Sequence, residues 1–381
     1  MHYHGLTWDH PRGYNALAAA AARLDPAGGL SLSWEKQPLE GFEAHPIDDL
    51  CARYDLVVLD HPHVGEAVAK GCLVPLEDLF AADEIAALDR ESIGPSLSSY
   101  RFAGAHWALP LDAATQVMAR RADLVEGPAP ATWDEVLTLS ERAPVALSLA
   151  GPHACLTFLS IAAALGEPPA VADPDVLVSD TVGQAALDAM ARLAARSPAS
   201  VREKNPIGIL DHMAAHADVA LCPLIYGYVT YAAPRDPGLA AIAFSDAPRA
   251  AAGGRPGSTL GGTGIGVSRR CVVTPALLDH LRWLMGAAAQ VAFIPAHDGQ
   301  PSRRDAWRDG GVNARWGGFY AATAQTLEAA YVRPRHGGYI AFQADAARLI
   351  RDGLADGRPH RDILGDLAAR YARSRVPGTE R

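Results

Sequence analysis

Two short stretches hold most of the side chains that can do chemistry. Asp60-His61-Pro62-His63 closes the apolar run Tyr54-Asp55-Leu56-Val57-Val58-Leu59, and Trp8-Asp9-His10-Pro11-Arg12 closes residues 2–8. A carboxylate beside a neutral imidazole can grip a hydroxyl-rich ligand, move a proton or hold a metal. His61 is the candidate general base, with Asp60 or Asp9 to orient it. Asp60, His61 and His63 are equally candidates for direct ligand contact. Trp8 offers a flat apolar face for a ring, while Asp9, His10 and Arg12 can orient polar groups. Arg12 also stands where a helix begins, beside N–H groups that favour an anion. The plainer alternative is a turn in which Asp9 caps the helix and Pro11 fixes its start.

Other candidates are more dispersed. Cys155 follows Gly151-Pro152-His153 at an expected helix start, where a lowered thiol pKa would make it a nucleophile. The competing role is a small buried residue beneath Phe158. Asp112 and Gln116 border an expected crossing strand. Gly261-Gly262-Thr263-Gly264 superficially resembles a phosphate loop but lacks the Gly-Lys-Ser/Thr ending. Gly262 and Thr263 are therefore assigned to a hinge loop whose backbone N–H groups approach a ligand. No HExxH or related spacing supports a metal, and no cofactor is assigned.

Composition narrows the field. The 381 residues are 49% hydrophobic and 20% charged, enough for two lobes with a real core. Net charge is −9 and no basic run occurs, which argues against a nucleic-acid partner. No apolar run is long enough for a membrane span. Met1-His2-Tyr3-His4 lacks the features of a secretory leader. The expected location is therefore cytoplasmic for the chain as given, and periplasmic if a leader was removed. Five scattered cysteines without Cys-x-x-Cys suggest no disulfide framework.

The elements that must position these groups follow from patterning. Residues 2–8, 30–36 and 54–60 read as strands, with helices over 13–24 and 46–53 between them. This β-α-β-α-β order opens a doubly wound sheet. Ligands in such sheets bind at the carboxyl ends of strands, where both Asp-His-Pro stretches fall. Further strands are expected over 116–120, 145–149 and 218–222, and a loop over 261–264 feeding another. Thr132 with Glu135 forms a capping box at a helix start. The chain past Pro301 reads as mostly helical, with a loop over 333–338.

The ordered pieces YDLVVLD, GCLVPLEDL, GAHWALPLDAATQVMARRADL, PATWDEVL, GGTGIGVS, GQPSRRDAW and RPRHGGYIAFQ resemble the extracellular solute-binding proteins of ABC importers, in the large sugar-binder-like group. The resemblance implies an α/β type II periplasmic-binding-protein fold, two lobes around a ligand cleft. The first lobe would comprise 1–111 plus 256–310 and the second 112–255, with helices of 311–381 packed across both. It also implies aromatic cleft walls from Tyr226 and Tyr228, a small-molecule ligand and, on export, an ABC permease partner. The expected function is capture of a small hydroxylated or carboxylated molecule. The alternatives are a cytoplasmic isomerase or lyase with a histidine base, recruited from this fold, and an intracellular ligand sensor.

Overall fold

The structure, a computed structural model, describes residues 1–25 and 29–375. In chain order the first elements are β1 (His2–Trp8), α1 (Pro11–Ala21), β2 (Ser31–Gln37), α2 (Leu39–Ala44), α3 (Ile47–Arg53), β3 (Leu56–Leu59), α4 (Val64–Lys70) and α5 (Ala82–Glu91). Then come β4 (Arg101–Phe102), β5 (Ala105–His106), β6 (Leu109–Arg120), α6 (Trp133–Leu139), α7 (His153–Ala164), α8 (Asp180–Arg196), α9 (Pro206–Ala215), β7 (Leu221–Tyr226), β8 (Ala243–Ser245) and β9 (Leu260–Val267). The remainder is helical: α10 (Pro275–Met285), α11 (Ile294–Ala296), α12 (Arg304–Arg308), α13 (Gly310–Arg315), α14 (Phe319–Glu328), α15 (Tyr339–Ala355) and α16 (His360–Ser374).

The fold is two-lobed, and pairing runs continuously through it in the order β2-β1-β3-β9-β6-β7, with β8 also on β6. β1 pairs in parallel with both β2 and β3. Their carboxyl ends therefore share one edge, and the two Asp-His-Pro stretches do lie on a common rim. β9 runs antiparallel to β3 and to β6, so β6 and β9 join the parallel strands β1–β3 to β7 and β8.

Several strands differ from the sequence expectation, two of them for one reason. β6 is a single twelve-residue strand rather than a short piece from Gln116, and it contains Pro110. β7 runs on through Pro223 instead of stopping before it. In both places the register shifts beside the proline, between Pro110 and Asp112 and between Val117 and Ala119 opposite Pro223. A local irregularity lets a ladder pass a residue that has no N–H to donate. The third is the glycine segment at 261–264, which is not a loop but the first half of β9. Residues 145–149 form no strand; Val145 makes a single bridge to Leu221.

Helix starts follow local chemistry. Thr132 and Glu135 make the expected capping box, with Glu135 N–H donating to Thr132 Oγ1 at 3.3 Å and Thr132 N–H to Glu135 Oε2 at 3.1 Å. At α1 the cap is His10, not Asp9: His10 Nδ1 accepts the Arg12 N–H at 3.1 Å. α7 is buried on every face, and α15 packs both on it and on the His61–His63 turn. α16 packs against α15 and α8. Among the described residues no helix is long and apolar enough to cross a membrane.

Gly262 fixes the crossing register. Its φ is +85°, and a Cβ there would lie 2.3 Å from the Asp112 carbonyl oxygen. Gly262→Ala should therefore cost about 2–3 kcal/mol, combining the positive-φ penalty with displacement of β6. Urea denaturation checks this; a loss below about 0.5 kcal/mol contradicts the strand geometry.

Candidate functional site

The rim is built from two buried arginine–aspartate pairs. At the end of β3, Asp60 Oδ1 accepts the His61 N–H at 2.8 Å, which caps the turn that follows. Asp60 Oδ2 accepts from Arg333 Nη2, which also donates to the Leu260 carbonyl at 3.1 Å. Arg333 Nη1 donates to Gln343 Oε1 at 2.9 Å. One guanidinium thus joins the end of β3, the start of β9 and α15. Burial opposes charge on Arg333, yet Asp60 holds its pKa above the ordinary arginine value. Burial likewise opposes ionisation of Asp60, but Arg333 and His61 hold its pKa well below the usual carboxylate range. The Asp60 side chain remains 19% exposed, against 2% for Arg333 and none for His61. A fixed, ionised carboxylate therefore still faces outward from this pair.

His61 is enclosed. Its Nε2 accepts the Arg333 backbone N–H at 3.3 Å, so the ring proton sits on Nδ1, 3.0 Å from Asp60 Oδ1. Burial first, and Arg333 second, lower its pKa to about 4. A ring with Nε2 engaged and no exposed surface is poorly placed to take a proton from a substrate. His63 is buried in the same turn.

The second pair lies at the end of β1. Arg12 donates through Nε to Asp112 Oδ1 at 2.9 Å and through Nη2 to Asp112 Oδ2, the two-pronged geometry that suits a carboxylate. Its Nη1 donates to the Gly227 carbonyl at 3.1 Å. The guanidinium lies 4.9 Å from the Tyr228 ring centre and 5.5 Å from that of Trp8. Arg12 thereby ties the start of α1 to β6 and to the residue just past β7. Gln300 reinforces the junction, accepting the Val229 N–H at 2.8 Å and donating to the Ala113 carbonyl at 3.1 Å.

Trp8 does not present an open face. It is 3% exposed, stacks on His10 at 5.2 Å and lies so close to α1 that a Cβ on Gly13 would sit 2.3 Å from its Nε1. It backs His10, whose ring also meets Tyr228 edge-on at 4.7 Å. Burial and then Arg12 lower the His10 pKa to about 3. Asp9 turns to the surface and pairs with Lys36 at 2.7 Å. It neither caps α1 nor reaches His61.

The remaining candidates divide in the same way. Tyr226 is half-buried; its ring covers Gly261, where a Cβ would be 2.5 Å from Cε1, and stands 5.9 Å from the His153 ring. Tyr228 is buried under Arg12. Thr263 is buried opposite Asp112 in the ladder, and Gly262 lies beside it. Cys155 is 1% exposed, and burial pushes its thiol up to about 12, so the thiolate that a nucleophile needs does not form near neutral pH. Arg333 is the residue that sequence reasoning missed. Its one signal was an arginine just before Pro334 in the 333–338 loop; its carboxylate partner stands 273 positions earlier.

Buried donors around this rim with no acceptor among the described residues include Trp8 Nε1, Gln116 Nε2 and Arg333 Nε. Gln116 pairs with Tyr226 across the β6–β7 ladder, so it belongs to the same wall. Within the set of described residues, no cluster of three or more His, Cys, Asp or Glu is arranged to hold a metal.

Comparison with known proteins adds the following. The sequence pattern of the bacterial extracellular solute-binding protein family matches residues 49–306. No curated protein matches the chain in sequence. Among solved structures, an ABC transporter solute-binding protein of Agrobacterium radiobacter K84 in complex with ribitol is 20% identical, with TM-score 0.80 over 98% of each chain. Maltose-bound MalE3 of T. maritima is 16% identical, with TM-score 0.80 over 97% of this chain and 98% of that one. A solute-binding protein of Thermotoga lettingae TMO bound to α-D-tagatose is 15% identical, with TM-score 0.78 over 98% of this chain and 99% of that one. At these identities the likeness is one of fold.

The depressed histidines carry a pH signature. Unfolded, His10 and His61 titrate near 6.5; folded, they resist protonation down to about 3 and about 4. Below pH 6.5 the unfolded chain takes up protons that the folded chain refuses. Their contribution is thus full above that pH and is lost on acidification, by roughly 2 kcal/mol per histidine near pH 5. Asp60, depressed in the folded state, loses its contribution only below the ordinary carboxylate range. Urea midpoints should fall steadily from about pH 7.5 to about pH 5, and His61→Gln should flatten that slope. A midpoint constant over this interval is incompatible with two neutral, buried rings.

Proposed function

The chain belongs to the bacterial extracellular solute-binding protein family, and from that premise we propose that its rim captures an uncharged polyhydroxylated molecule, a polyol or small sugar. Binding of a small polar solute is the family's work; the ligand class is our reading. The observation that carries it is the Asp60 carboxylate, locked in place by Arg333 and His61 yet still partly exposed. A carboxylate accepts hydroxyl protons strongly, and a hydroxyl oxygen can in turn accept from buried donors such as Arg333 Nε and Gln116 Nε2. Paired donors and acceptors are what a string of hydroxyl groups satisfies. Tyr226 supplies an apolar ring beside them.

Charge argues for a neutral ligand over a carboxylated one. Each rim arginine is already neutralised by an aspartate, and His10 and His61 are held neutral. No net positive charge remains in these groups to draw a carboxylate. The ribitol, maltose and tagatose held by the structural neighbours are of the same uncharged, hydroxyl-rich class. A bound solute held by both lobes would favour their closure, which is how ligand occupancy is signalled to a partner. The reading takes that partner to be an ABC permease and places the protein outside the cytoplasm, as the family's description has it. Proton transfer by His61 and covalent chemistry at Cys155 are set aside on the geometry above.

Thermal shift and calorimetry with ribitol, mannitol, tagatose and maltose test the proposal, with small dicarboxylates as the opposing set. At least one polyol or sugar should raise Tm in a concentration-dependent way with no product formed. Asp60→Asn should weaken that ligand by about 10-fold or more, the loss of one charge-assisted hydrogen bond. Stabilisation by the acids alone would overturn the assignment of class.

A further inference from the structure

Two of the five cysteines, unconnected by any sequence pattern, meet in the first lobe. Cys51 lies on the inner face of α3 with Ile47 and Leu50, and it is buried. Cys72 follows α4, which packs against α3. Gly71 ends α4 in the left-handed conformation, with φ +61°. Its N–H returns to the Val68 carbonyl at 3.0 Å, and the Cys72 N–H to that of Ala67 at 3.1 Å. This double return is a Schellman ending, and it folds the residue after the glycine back over the helix's last turn. Cys72 is thereby set against the cluster that contains Cys51. The Cys72 thiol donates to the Ala67 carbonyl at 3.6 Å, and the two thiols lie close enough to perturb each other's ionisation. Cys72 is also only half-buried, so one of the two sulfurs is within reach of solvent.

We propose that Cys51 and Cys72 are a disulfide-forming pair that clamps the base of the ligand rim. The segment between them contains β3, Asp60, the His61–His63 turn and α4. A bond there would close a short loop around the Asp60-bearing turn and restrict it in the unfolded chain. The reaction needs a disulfide oxidant, either a low-molecular-weight disulfide or a thiol–disulfide oxidoreductase. One protein thiolate attacks the oxidant's S–S bond, giving a mixed disulfide and releasing one thiol. The second protein thiolate then attacks the protein sulfur of that mixed disulfide, forming the Cys51–Cys72 bond and releasing the second thiol. The two protein protons end on the two released thiols, and the oxidant gains the two electrons that the cysteines lose. Of the pair, Cys51 is the more acidic, because the neighbouring Cys72 outweighs its burial, whereas Cys51 and burial push the Cys72 thiol up. Cys155, Cys222 and Cys271 have thiols raised to about 12 by burial, which slows the same chemistry there.

The presence of this bond in the cell rests on the extracellular reading, whereas its formation in vitro does not. The two can therefore fail separately. Reduced, purified protein is equilibrated with oxidised glutathione, unfolded, and its thiols counted. Three of the five cysteines should remain titratable, peptide mapping should join Cys51 to Cys72, and Tm should exceed that of the dithiothreitol-treated protein by roughly 5 °C. Cys72→Ser should show four titratable thiols and no such rise. Five free thiols, a persistent glutathione adduct or a crosslink to any other cysteine would each overturn the proposal.

Discussion

A guanidinium buried beside a carboxylate cannot drift, because separating the two would strand a charge in a medium that solvates it poorly. The Arg333–Asp60 pair imposes that constraint here, and the rest of the rim is arranged around it. It links the end of a first-lobe strand to the loop entering the C-terminal helices. It keeps Asp60 ionised and leaves His61 neutral and enclosed. A site that looked from its residue types like acid–base machinery is thereby made into a fixed pattern of donors and acceptors. Such a pattern serves recognition better than turnover.

Arg12 and Asp112 repeat the device at the next strand end, with a different consequence. Their pair joins the start of α1 to β6, and a third bond from Arg12 reaches the Gly227 carbonyl just past β7. The crossing strands beneath must then keep one register, and Gly262 with the bulge before Asp112 sets it. Trp8, Tyr228 and His10 fill the space around the guanidinium. Aromatic residues that would suit a ligand platform are here spent largely on positioning the arginine, and the more open ring is that of Tyr226.

Much of this was legible in the chain. The early βαβαβ order, the capping box at Thr132 and the strand-end placement of Asp60 and His10 follow from short-range rules, and the structure has them. Less legible was anything that depended on a partner distant in sequence. The strands expected over 116–120 and 218–222 extend past Pro110 and Pro223, because register shifts against neighbouring strands absorb the hydrogen bond that each proline cannot make. Asp9 read as a helix cap and a rim group, but Lys36 on the adjacent strand holds it at the surface.

By itself, then, the sequence determined which segments are strands and helices over most of the chain. It determined that their carboxyl ends bear the polar groups, and that no basic surface or long apolar span is present. These are matters of periodicity and local stereochemistry, to which a residue and its near neighbours suffice. Only the tertiary structure decided which of those polar groups remain available. Arg333 meeting Asp60, Arg12 meeting Asp112 and Cys51 meeting Cys72 are encounters between segments that local rules do not relate. The charge state of a side chain depends on the burial and the partners supplied by such encounters. Chemistry in this protein is therefore settled by contacts that composition and spacing do not encode.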